Sequence, residues 1–155
     1  NQLTDPRTVY DPIQNRWIVC MQTVNTSGLV LIGVSQSPDP AGTWFLYAFG
    51  NLAGGPGYLI DFPNLGFNKN WIAVAINRYS SAGAFQRGVT LVVSYPAARA
   101  GTLSAGTVFT QGANTHFCSS PCATWARRGS SCPRRTAGTT RSSRPSRGRT
   151  ARWGW

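Results

Sequence analysis

Asp5, Asp11, Asp39 and Asp61 are the only carboxylate side chains in this chain of 155 residues, which contains no Glu. Glycoside hydrolysis ordinarily uses a pair of carboxylates, one as acid and one as base or nucleophile. Each of these Asp residues, however, sits beside Pro or in a turn pattern, where a short carboxylate caps backbone N–H groups. Their expected role is therefore structural. Asp11 and Arg16 flank one such turn and are spaced to pair across a hairpin, a contact contributing about 0–1 kcal/mol when exposed. His116 is the only His, and no Gly-x-Ser-x-Gly elbow accompanies it to complete a Ser–His–Asp arrangement. His116, Cys118, Cys122 and Cys132 are zinc-ligand types, but their spacing matches no standard finger. No metal and no cofactor is expected. Cys20 lies in an apolar run and reads as a buried thiol, with Cys118 and Cys122 as the alternative disulfide partners. Trp17, Trp44 and Trp71 have faces that stack on sugars, yet their places at strand starts favour packing. Residues 50–57 are Gly-rich but lack the Lys-Ser/Thr of a phosphate loop. Asn25-Thr-Ser27 fits a glycosylation sequon.

Charge divides the chain in two. Up to residue 117, six bases against four acids leave +2; residues 118–155 hold nine Arg and no acid, giving +9 of the total +11. That last segment uses eight residue types, and Leu, Ile, Val, Phe, Tyr and Met are absent from it. It cannot offset backbone ordering entropy of about 1–2 kcal/mol per residue, so a disordered basic tail is expected. Three origins compete. It is a nucleic-acid-binding tail with Trp125, Trp153 and Trp155 to stack on bases, or a solvated linker, or the product of a one-base slip in G/C-rich DNA. The clean loss of apolar residues and the absence of Lys favour the slip, beginning between Cys118 and Arg127. Nucleic acid is a partner only if the tail is genuine.

The elements that must position any site are short strands. Arg16-Trp-Ile-Val-Cys-Met-Gln-Thr-Val24, Leu29-Val-Leu-Ile-Gly-Val-Ser35, Trp44-Phe-Leu-Tyr-Ala-Phe49, Leu65-Gly-Phe67, Trp71-Ile-Ala-Val-Ala-Ile76, Val89-Thr-Leu-Val-Val-Ser94 and Thr107-Val-Phe-Thr110 are apolar, β-branched or aromatic runs. Each is closed by Gly, Pro, Asn or Ser. Gly and Pro number 17 and 10, no stretch has a 3.6-residue period, and no apolar run approaches the ~18–20 residues of a membrane span. This excludes a helical bundle, a coiled coil and a membrane anchor. With neither an initiator Met nor a signal-peptide pattern at Asn1, the chain reads as internal to a longer protein.

The strands repeat. Gln14-Asn-Arg-Trp-Ile-Val-Cys-Met21 aligns with Asn68-Lys-Asn-Trp-Ile-Ala-Val-Ala75, which sets Trp17 over Trp71 as equivalent core positions. Ala41-Gly-Thr43 aligns with Ala100-Gly-Thr102, and Ser35 with Ser94. Two units, roughly 5–50 and 58–111, each carry about four short strands, the signature of propeller blades. The expected fold is all-β. Residues 1–117 form about two four-stranded antiparallel blades, a fragment of a propeller, and residues 118–155 follow as the tail.

Ser37-Pro-Asp-Pro-Ala-Gly-Thr-Trp44 resembles the Asp-box, Ser-x-Asp-x-Gly-x-Thr-Trp, of sialidase-type and BNR-repeat propellers. Ser37, Asp39, Thr43 and Trp44 fit, while Ala41 stands where the box has Gly. The resemblance implies that Asp39 ties down a hairpin turn and Trp44 packs inward, a structural role. Asp5-Pro6, Tyr10-Asp11, Arg16-Trp17, Val34-Ser35, Asp39-Pro40 with Gly42, and Asp61-Phe-Pro-Asn-Leu-Gly66 are also similar to a pattern in secreted bacterial propeller proteins. What this implies is an extracellular or cell-surface scaffold or binding module without catalysis, taking a glycan or protein ligand. One alternative is a fragment of a sialidase-like glycoside hydrolase whose catalytic residues lie outside the chain. Sialidases use a Tyr nucleophile activated by Glu, and this chain has no Glu to complete that pair.

Overall fold

The apolar runs pair in the order in which they occur. In the computed structural model, which describes residues 2–23, 28–50, 52, 54 and 57–113, two four-stranded antiparallel sheets form. The first is β1 (Leu3–Asp11), β2 (Arg16–Thr23), β3 (Val30–Ser35) and β4 (Trp44–Phe49), in the spatial order β1-β2-β3-β4. The second repeats the pattern with β5 (Tyr58–Phe67), β6 (Trp71–Ser80), β7 (Phe85–Ser94) and β8 (Gly106–Thr110). A five-residue helix, α1 (Tyr95–Arg99), lies between β7 and β8.

Equivalent chemistry closes the first turn of each sheet. Asp11 Oδ1 accepts from Ile13 N (2.9 Å) and Gln14 N (3.3 Å). Asn68 Oδ1 accepts from Asn70 N and Trp71 N, both at 2.9 Å. Asp and Asn suit these places because their short side chains bond backbone two or three residues on. Arg16 stands opposite Asp11 in the register, as the hairpin spacing predicts, but its guanidinium turns to backbone. Its Nη1 donates to the carbonyls of Gln14 (3.2 Å) and Asn15 (2.9 Å).

The internal repeat survives as register. Ile18 pairs with Val34 and Ile72 with Val93. Trp17 N–H donates to Ser35 Oγ (2.8 Å), and Trp71 pairs with Ser94, so both Trp residues stand opposite the Ser that ends the third strand. Their burial differs from the core role assigned to them. Trp71 is 50% exposed, and Trp17 is half-buried with Nε1 donating to Pro38 O (2.9 Å). Successive strand residues point to opposite faces, so burying Ile18 and Ile72 turns the adjacent Trp residues away from the core.

That core is one apolar cluster drawn from both sheets. Ile18, Cys20, Val30, Ile32 and Val34 of the first and Ile72, Val74, Ile76, Val89, Leu91 and Val93 of the second are at most 1% exposed. Full burial of such a side chain contributes about 1.5–3 kcal/mol. The sheets touch where β5 lies against β1 and β2, and where α1 reaches β3. No helix among the described residues is long and apolar enough to cross a membrane.

Sequence patterning does not announce α1, which is too short for a 3.6-residue period. It forms because Ser94 Oγ caps it by accepting from Ala97 N (3.3 Å) and Pro96 occupies its first turn. Gly101, at φ +74°, ends the segment where an added Cβ would come within 2.6 Å of the Phe45 ring. Gly101→Ala should therefore destabilise the fold by about 1–3 kcal/mol. Gly57→Ala, at φ +85° with nothing within 4 Å, should lose only the backbone preference, about 1–2 kcal/mol. Urea titration followed by Trp fluorescence checks the ranking, and a smaller loss at Gly101 would refute the close approach.

Candidate functional site

Two β-bulges shape the end of the sheets where β1 and β5 begin. In β1 the register against β2 shifts between Thr4 and Arg7, and in β5 the register against β6 shifts between Asp61 and Asn64. Each bulge places a residue at positive φ directly before a proline: Asp5 at 51° and Phe62 at 63°. Asp tolerates the left-handed region through local hydrogen bonding. For a ring as bulky as Phe it is a strained conformation. Two contacts hold it. Asp61 Oδ1 accepts from Phe62 N (2.8 Å), and the Arg7 guanidinium, 5.8 Å from the Phe62 ring centroid, donates through Nε to Pro63 O (2.9 Å).

Between these bulges lies a cleft of about 580 Å³, lined by Thr4, Asp5, Gln22, Leu59, Ile60, Asp61, Tyr79 and Gly83. That is within the range of small-ligand sites, about 300–1,000 Å³. β1 supplies Thr4 and Asp5, β2 supplies Gln22, β5 supplies 59–61, β6 supplies Tyr79, and the turn into β7 supplies Gly83. Gln22 is 1% exposed and spans the sheets, its Nε2 donating to Asp61 Oδ1 (2.9 Å). Its Oε1 is buried with no hydrogen-bond partner. A buried acceptor left unmade costs about 1–3 kcal/mol. Thr4 Oγ1 donates to Asp5 Oδ1 (3.2 Å), and Asn77 Nδ2 donates to Tyr79 Oη (3.3 Å). The arrangement offers many acceptors, few donors, two carboxylates, and the apolar flank of Leu59.

A second polar node fixes the opposite end. Tyr95, fully buried, donates from its hydroxyl to Asp11 Oδ2 (2.8 Å). The Arg99 guanidinium lies 4.8 Å from the Tyr95 ring centroid and donates through Nη1 to Gln14 Oε1. Tyr47 adds a hydroxyl bond to Ala98 O (2.8 Å). Burial, and then the Asp11 bond and charge, push the Tyr95 phenol well above its usual range. Burial pushes the Cys20 thiol up to about 12, against the lowering influence of Arg7. Cys20 is a free thiol, protonated at neutral pH and not a nucleophile.

The Asp-box-like residues stand away from the cleft. Asp39 Oδ1 accepts from Ala41 N (2.9 Å), Ser37 Oγ accepts from Asp39 N (3.3 Å), and Gln36 N donates to Thr43 O (2.9 Å). Trp44 is half-buried, with Nε1 donating to Pro40 O (3.1 Å). These bonds close a turn and assemble no chemistry. Of the four Asp residues read as turn caps, Asp5 and Asp61 also line the cleft, while Asp11 and Asp39 do not. Gln22, Tyr79 and Thr4 carry no motif. The available signal was Gln22 itself, a lone amide in an apolar strand whose alternation with Ile18 and Cys20 places it on the buried face. Among the described residues no three His, Cys, Asp or Glu side chains cluster as metal ligands. His116, Cys118, Cys122, Cys132, the Arg-rich tail and the sequon at Asn25 lie outside the described residues.

No protein-family model matches the chain, and no curated protein or solved structure does so either.

Tyr95→Phe should destabilise the protein at neutral pH by about 1–3 kcal/mol, because Asp11 Oδ2 loses its buried donor. A phenol whose folded pKa is raised supports the fold fully below the unfolded value near 10 and loses that support as pH rises beyond it. The gap between wild type and Tyr95→Phe should therefore narrow above pH 10. Denaturant titrations at neutral and strongly alkaline pH measure this, and a gap that widens would contradict it.

Proposed function

We propose that this chain contributes two neighbouring blades of an extracellular propeller-type module, and that the cleft between them binds glycan without cleaving it. Three observations support a blade-like arrangement. Both sheets have the same strand order, and β5 lies against β1 and β2. The connection from β7 to β8 lies against β4, through Tyr47 to Ala98 and Phe45 to Gly101. The extracellular setting follows the sialidase and BNR resemblance.

The observation that carries the binding reading is the cleft, with its buried, unpartnered Gln22 Oε1 beside Asp5, Asp61 and Tyr79. A site rich in acceptors on an apolar floor suits a ligand rich in hydroxyl donors, and sugars combine such hydroxyls with an apolar ring face. Two carboxylates in one cleft favour a second reading, glycoside hydrolysis. Against it, Asp61 Oδ1 is already held by Phe62 N and Gln22 Nε2, which fixes that oxygen as an acceptor. A glycan array probed with the full chain, run beside fluorogenic glycoside assays, tests both. Binding to a defined glycan set without turnover is the expected result. Turnover abolished by Asp61→Asn would establish the hydrolase, and binding to no glycan by the folded chain would overturn the module reading.

A further inference from the structure

The charge of the cleft narrows its ligand. Its lining holds the carboxylates of Asp5 and Asp61 and no Lys, Arg or His, although the chain as a whole is basic. The nearest described guanidinium on β1, that of Arg7, is turned to Pro63 O and the Phe62 ring. Three kinds of acceptor line it: the two carboxylates, each with one oxygen already bonded within the chain, the unpartnered Gln22 Oε1 in a residue 1% exposed, and Thr4 Oγ1. A sugar carrying its own carboxylate would bring a third negative charge into a partly desolvated space. A sugar carrying an ammonium would neutralise the pair through charge-assisted hydrogen bonds, the strong kind.

We infer that the cleft is specific for an amino sugar, its ammonium held by Asp5 and Asp61 and a neighbouring hydroxyl donating to Gln22 Oε1. The inference rests on the glycan-binding reading and assigns the class of glycan. The sugar ring lies over Leu59, which pairs with Tyr79 across the strands, and the Tyr79 hydroxyl supplies the donor that a ring or hydroxyl oxygen accepts.

Isothermal titration of the full chain with D-glucosamine, D-glucose and N-acetylneuraminic acid tests it, at a slightly acidic pH where the amine is charged. Glucosamine should bind about tenfold more tightly than glucose, N-acetylneuraminic acid should not bind, and added salt should weaken the glucosamine complex. Asp5→Asn with Asp61→Asn should reduce glucosamine to the level of glucose, and Gln22→Met should weaken both sugars. Thermal melts of each variant confirm that it is folded. Equal affinity for glucose and glucosamine, or tighter binding of N-acetylneuraminic acid, would sink the amino-sugar assignment and leave glycan binding standing. Binding of no sugar would remove both. Calcium alone taken up by the chain, and lost in the double Asp variant, would overturn the assignment in favour of a hard-cation site.

Discussion

Each sheet presents an apolar face that it cannot cover by itself, and everything else in the molecule follows from covering it. A single four-stranded sheet leaves Ile18, Ile32 and Val34, or their counterparts Ile72, Leu91 and Val93, in water. In the folded chain these residues are at most 1% exposed and belong to one cluster. Burial of this kind is non-directional. It brings the sheets together but does not say how far one slides over the other. Polar contacts at the two ends supply that choice: Tyr95 with Asp11 and Tyr47 with Ala98 at one end, Gln22 with Asp61 and Arg7 with Pro63 at the other.

These end contacts differ in kind. At the Tyr95 end the Tyr95 hydroxyl and both Asp11 carboxylate oxygens find partners inside the chain, and that node reads as a lock. Asp11 closes its own turn with Oδ1 and receives Tyr95 with Oδ2, so one carboxylate ties a hairpin of the first sheet to the helix that follows β7. At the cleft end the contacts are incomplete. Gln22 spends its amide N–H on Asp61 and leaves its carbonyl unmatched. The cleft end has an open space beside its unmatched group, which is why it is the candidate for recognition.

The repeat was legible because it is written in apolar runs. Trp17-Ile and Trp71-Ile mark the same register, and Ser35 and Ser94 end the same strand in each sheet. Strands poor in such runs were harder to see. β1 carries Thr, Asp, Pro and Arg, and the first half of β5 carries Asp and Pro, so pairing with β2 and β6 makes them strands where propensity alone does not. The Trp residues illustrate a limit of a different sort. Their equivalence could be read, but alternation assigns the face, and the face that is buried belongs to the adjacent Ile. The cleft was the least legible part. It depends on bulges, where Asp5 and Phe62 take positive φ against their ordinary preference, and a bulge changes which side chains point together without altering composition or period.

The physical case for function at this cleft is that the chain tolerates cost there. Phe62 in the left-handed region costs about 1–3 kcal/mol, and an unmatched buried amide oxygen costs about 1–3 kcal/mol more. Against a total stability of about 5–15 kcal/mol for a domain of ordinary size, neither is negligible. Both would be relieved by small changes, a Gly in the bulge or an aliphatic side chain at position 22. Several turns elsewhere meet their demands cheaply: Gly57, Gly83 and Gly101 occupy positive φ, and Asp11 and Asn68 satisfy their turns from within. Both costs flank one 580 Å³ space lined by two carboxylates, Gln22 and Tyr79. A ligand that donates to Gln22 Oε1 removes one of them on binding, so part of its affinity comes from satisfying a group the folded chain holds ready.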